Sequence, residues 1–216
     1  MVLLQLKQLS VPPGQRLLLH NVSWEEFEAI LEELGEHRGS RLAYDKGTLE
    51  IMTPLPEHEA AKEIIGDLVK ALLEELNIEF WTLGSTTFKN QQMAQGLEPD
   101  QCFYIQNEAA VRGKKRLDLT VDPPPDLAIE VDITSRTQPS IYEALGVPEL
   151  WLRNNRQLQI NVLQAGKYVE SKSSLIFPGM PLIEVIPRYL EESKTVGRNK
   201  TMRAIRSWVR EQQWSN

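Results

Sequence analysis

With 216 residues, 41% of them hydrophobic and 25% charged, the chain has the length and apolar content of one ordinary domain with a buried core. A formal net charge of −6 is the wrong sign for a protein that coats nucleic acid, and the one cysteine, Cys102, excludes an intramolecular disulfide and a cysteine-based zinc site. No apolar run approaches the roughly 20 residues of a membrane span, and Met1–Gln5 lacks signal-peptide character, so the expectation is a cytoplasmic protein with no membrane partner.

In chain order, Ser23 and Glu26 form a capping box ahead of Trp24, Phe27, Ile30, Leu31 and Leu34, a helical pattern stopped by Gly35. A hairpin follows: Arg41–Tyr44, the turn Asp45-Lys46-Gly47, and Thr48–Met52. Pro56 then opens the strongest helix, with Ala61, Ile64, Ile65, Leu68, Val69, Leu72, Leu73 and Leu76 as one apolar stripe ending near Asn77. Strand-like pieces at Phe80–Leu83 and Ser85–Lys89 lead to a loop over Asn90–Leu97, and a strand runs from Asp100 to Ile105. Arg112–Arg116 is a loop, stiffened after it by Pro123-Pro124-Pro125, and Asp126–Ile133 is a further strand. A short helix over Pro139–Leu145 ends at Gly146, and strands at Glu149–Leu152, Gln157–Leu163 and Lys167–Val169 complete a meander.

The tail over Thr201–Gln212 reads as an amphipathic helix, with Met202, Ile205, Trp208 and Val209 on one side and arginines on the other. Lys194, Arg198, Lys200, Arg203, Arg206 and Arg210 against Glu211 alone give residues 193–216 a charge of +5, leaving −11 on residues 1–192. The predicted architecture is α/β, a mixed sheet flanked by helices. Residues 1–190 form the main domain, and residues 191–216 carry the basic helix, packed on the body or on a partner subunit.

Strand parity carries the most chemical information. Leu127, Ile129, Val131 and Ile133 share one face; Ala128, Glu130 and Asp132 share the other. Asp100, Cys102 and Tyr104 alternate likewise with Gln101, Phe103 and Ile105. If the strands are neighbours, Asp100 and Glu130 converge on a hard cation, since Mg2+ takes one or two carboxylates plus water. The bland alternative is a strand-entry Asp100 and a solvent-facing Glu130/Asp132 pair. Projected back along the long helix, Glu57 and His58 fall on the apolar face, whereas Glu59 and Glu63 point away. Glu57 also suits a helix N-terminus, and His58 suits a core histidine.

Four markers stand in order: Pro54-Leu55-Pro56-Glu57-His58, Glu98-Pro99-Asp100, Pro125–Val131, and Tyr142–Trp151. Together they resemble the Uma-type putative restriction endonuclease family over roughly Ser23 to Pro187, a family similar in fold to the PD-(D/E)XK nucleases. The resemblance implies a restriction-endonuclease-like core, a DNA substrate, Mg2+ or Mn2+ held by Asp100 and Glu130, a helix carboxylate at Glu57, and a homodimer. It also exposes a gap. The superfamily's lysine two residues after the Glu is Asp132 here, and the alternative position four residues before Tyr142 is Gln138. Lys89, ahead of Asp100, is the remaining candidate. A fold that keeps the carboxylates but serves as a nucleic-acid or protein binding module is the competing reading. A sugar hydrolase is a weaker one, because Glu130 and Asp132 lie only about 7 Å apart along one strand.

Overall fold

The computed structural model describes residues 6–35, 39–84, 86–132 and 138–213. Among them the chain folds into two sheets rather than one. The first is antiparallel: β1 (Arg16–His20), β2 (Arg41–Asp45), β3 (Thr48–Met52), β5 (Phe88–Asn90) and β6 (Gln95–Leu97), in the order β1-β3-β2-β6-β5. The second comprises β4 (Trp81–Thr82), β7 (Gln101–Tyr104), β8 (Leu127–Asp132), β9 (Glu149–Asn154), β10 (Gln157–Gln164) and β11 (Lys167–Ser171), in the order β11-β10-β9-β8-β7-β4. Among the described strands only β8 and β9 pair in parallel, with α4 (Pro139–Leu145) between them in the chain.

Local chemistry explains most elements. Helix α1 (Trp24–Leu34) begins at a complete capping box, in which the Glu26 N–H donates to Ser23 Oγ and the Ser23 N–H donates to Glu26 Oε2. The β2–β3 hairpin pairs Asp45 with Thr48, so Lys46 and Gly47 form a two-residue turn, and both carry the positive φ that such a turn demands (44° and 93°). Phe27 of α1 stacks on Tyr44 at 4.6 Å between centroids and closes the small core of the first sheet with Trp24, Leu42, Leu49 and Ile51.

Helix α2 (Pro56–Glu75) packs across the second sheet beside α5 (Leu182–Val196) and α6 (Arg198–Gln213), burying Phe103, Leu127, Ile129, Val131 and Trp151. The other face of the sheet packs Cys102, Tyr104, Ala128 and Leu150 against Ile141, Tyr142 and Leu145 of α4, with Phe88 and Leu97 from the first sheet. The alternation expected for Asp100–Ile105 and for Leu127–Val131 is thus the division between two cores; Ile133 lies outside the described residues.

Several elements differ from expectation. Gln95–Leu97 is a strand within what reads as a loop, and α3 (Glu108–Val111) adds a single helical turn. Helix α5 escapes a sequence reading because Pro187 interrupts its pattern. The residue-190 boundary drawn from the sequence falls inside α5, and α6 shares the main core through Met202, Ile205 and Val209. Three of its arginines meet α2: Arg198 pairs with Asp67, Arg206 with Glu74 and Glu75, and Arg210 with Glu75. The basic tail is therefore set against an acidic helix of the body. No described helix is long and apolar enough to cross a membrane.

Ile205 has no exposed surface. An Ile205→Ala variant is expected to lose about 2–5 kcal/mol in urea denaturation and to unfold in one transition, because α6 belongs to the common core.

Candidate active site

The antiparallel register of β7 on β8 pairs Gln101 with Ile129 and Cys102 with Ala128. Continued by one residue, it sets Asp100 opposite Glu130. Opposed residues bring their Cβ atoms to roughly 5 Å, and like charges there repel. Asp100 is 1% exposed and firmly held. Its Oδ2 accepts the Val131 N–H at 2.7 Å and lies 3.0 Å from His58 Nε2, while Oδ1 accepts from Arg41 Nη1. Glu130 accepts the Tyr142 hydroxyl on Oε1.

Burial pushes the Glu130 carboxyl well above the usual carboxylate range, and the Asp100 charge pushes it further; the Tyr142 hydroxyl and Arg41 pull the other way. Burial likewise raises the Tyr142 hydroxyl well above its ordinary value, and the Glu130 charge adds to it. The Arg41 guanidinium is held charged against the effect of burial by Asp100, Glu59 and Glu130. At Glu59, burial works upward but is outweighed by the hydrogen bond from Lys62 and by the charge of Arg41, so its carboxyl sits below the usual range.

These groups surround a pocket of about 70 Å3, enough for a few waters or a partly hydrated ion. Asp100, Glu130, Asp132 and Gln138 all line it, with Arg41 and His58. Gln138 is the N-cap residue of α4, and its side chain makes no capping hydrogen bond. Beside this pocket runs an open groove of about 1320 Å3 that shares Arg41 with it and is also lined by Lys62, Lys89, Lys115 and Arg116. Glu28, Glu59 and Glu98 line the same groove, so it is mixed in charge.

Two sequence candidates stand elsewhere. Glu57 is exposed and lies 3.9 Å from Lys194, because the buried positions of α2 run through His58, Lys62, Ile65, Val69 and Leu72, one 100° step away. Lys89 pairs with Glu28 along the groove, on the first sheet rather than beside Glu130. Asp126, within a marker quoted above, sits at the other end of β8. There it accepts hydrogen bonds from the N–H groups of Ile105 and Asn107, a structural role. Cys102, on the Asp100 face, is buried with its thiol pushed up to about 12, which makes it inert.

Arg41, Glu59, Lys62 and Tyr142 were not legible as site residues. Glu59 joins Arg41 at 2.9 Å to Lys62 at 2.6 Å, although the helical projection turned Glu59 outward. The available signal was the polar i, i+4 pair His58/Lys62 on a buried helix face.

The sequence profile of the Uma2 family, described as putative restriction endonuclease, matches residues 24–186. The chain belongs to this family. A solved structure that resembles the chain is a putative nuclease from Anabaena variabilis, with 12% identity over 71% of this chain and 87% of that one and a TM-score of 0.48. None of the curated proteins compared with the chain matches it. The mixed α/β fold of this Uma2 member, with Asp100 at the entry to β7 opposite Glu130 of β8, agrees with the restriction-endonuclease-like class expected from its sequence.

Among the described residues no group of three or more His, Cys, Asp or Glu side chains is gathered to hold a metal. The buried Asp100 and the half-buried Glu130, at a pocket with room for water, are oxygen donors of the kind that a hard divalent cation takes.

Because Glu130 titrates higher folded than unfolded, its contribution to stability is fully present below the unfolded carboxylate range and is lost as pH rises through the elevated value. Removing the Tyr142 hydroxyl raises that value further. Tyr142→Phe is expected to cost about 1–3 kcal/mol, with the larger loss at pH 8 than at pH 5, read by urea denaturation at both.

Proposed function

We propose that the protein is a metal-dependent endonuclease that hydrolyses DNA phosphodiester bonds, with Asp100 and Glu130 holding Mg2+ or Mn2+. The observation that carries this reading is the pairing of the buried Asp100, at the entry to β7, with the half-buried Glu130 of the neighbouring β8 at one pocket, in a chain of the Uma2 family. When bound there, the divalent ion supplies positive charge against the phosphoryl oxygens.

The protein's own groups do the rest. The Val131 N–H and His58 fix the orientation of Asp100, and Tyr142 fixes that of Glu130. Asp132 and Gln138 line the same pocket, where Gln138 can hydrogen-bond a water or a phosphate oxygen. The adjoining groove, with Lys62, Lys89, Lys115 and Arg116 along it, is the path offered to the nucleic-acid backbone. A homodimer, which would set two such sites on opposite strands, belongs to the same proposal.

The binding-module reading is favoured by one observation. The residue two after Glu130 is Asp132, and no lysine lines the pocket among the described residues.

Plasmid nicking with Mg2+ and with Mn2+ separates the two. The endonuclease reading expects metal-dependent nicking that falls by roughly 100-fold or more in Asp100→Asn and in Glu130→Gln. DNA retention without nicking, unchanged in either variant, would favour the binding module.

A further inference from the structure

Among the described residues, Arg41 is the one permanently charged cation that lines the carboxylate pocket, and it also lines the groove beside it. Its guanidinium is divided between two elements: Nη1 donates to Asp100, and Nη2 donates to Glu59 at 2.9 Å. Glu59 is itself secured by Lys62 at 2.6 Å, so the Nη2 half of the fork has an anchor outside the carboxylate pair. The Nη1 half rests on the very carboxylate that the metal reading assigns to the ion. The side chain is 12% exposed, and the residue lines both the pocket and the groove.

Two cations cannot share one carboxylate without repulsion, and the conflict is strongest in a buried site. We propose that Arg41 is an exchangeable cation: it holds Asp100 until a divalent ion takes that carboxylate, then offers the released half of its fork to a nucleic-acid phosphate while Glu59 retains the other half. This inference rests on the metal-dependent reading above. A guanidinium suits the role because its planar fork engages two oxyanions in fixed geometry, which a single ammonium cannot do. It would place a phosphate-binding charge in a site that lacks the superfamily's lysine. Arg41 acts here as a substrate-binding residue.

The alternative is that Arg41 merely ties the first sheet to the second. The two roles predict opposite changes in metal affinity. If Arg41 competes with the ion, Arg41→Gln binds Mn2+ about tenfold more tightly than the native protein, measured on the whole protein from the electron paramagnetic resonance of free Mn2+. The same variant binds a short DNA duplex about tenfold more weakly in Ca2+. If Arg41 is only a structural tie, its loss loosens the site, and Mn2+ affinity falls or stays unchanged; that result overturns the exchange. Native protein that takes up no Mn2+ would overturn the metal-dependent reading and this one with it. Should Arg41→Gln not fold, Arg41→Lys decides. One ammonium cannot span Asp100 and Glu59, so Mn2+ binding tightens by about threefold, whereas unchanged or weaker binding again overturns the exchange.

Discussion

Asp100 is a buried carboxylate at the meeting point of three elements, and its charge is tolerable only because all three contribute to it. Arg41 reaches it from the first sheet, His58 from α2, and the Val131 main chain from the second sheet. A carboxylate desolvated this far costs several kcal/mol unless it is paired and hydrogen-bonded. The arrangement therefore fixes how the two sheets and the long helix sit together. It also fixes Glu130, since the register that places Val131 beside Asp100 places the second carboxylate opposite the first.

The same constraint gives the pocket its character. Two carboxylates facing each other in a poorly solvated space repel, and the Glu130 carboxyl is raised first by burial and further by the Asp100 charge. Arg41 offsets part of it and Tyr142 another part. On the proposed metal-dependent reading, each is a group that an incoming divalent ion would relieve or replace. Stability and chemistry thus draw on the same few contacts, as is common where functional sites hold groups at perturbed pKa.

Away from the site, charge is used differently. The acidic face of α2 meets the basic face of α6 through Asp67, Glu74 and Glu75. Such exposed pairs contribute little each. The apolar stripe of Met202, Ile205 and Val209 does most to hold α6 in place, and the ion pairs favour its orientation. The uneven charge of the chain is therefore largely an internal complementarity, and the groove beside the pocket sets Lys62, Lys89, Lys115 and Arg116 among Glu28, Glu59 and Glu98.

What the sequence determined by itself was whatever depends on local periodicity and short-range chemistry. The capping box of α1, the Lys46-Gly47 hairpin, the stripe of α2 and the two-faced strands carrying Asp100 and Glu130 are all readable from residue spacing, because each is set by neighbours a few positions away. The motifs also placed the chain in its family. The tertiary structure alone decided which side chains from distant segments share the buried carboxylates. Arg41 lies 59 positions from Asp100, and no period in the chain links a hairpin residue to a strand entry. Glu57 and Glu59 show the same limit on a smaller scale. Helical phase separates them, but which of the two reaches the site depends on where the first turn of α2 overhangs the first sheet. Burial makes that distinction decisive, since a charge without a partner is far costlier inside than at the surface, and partners inside are supplied by the fold.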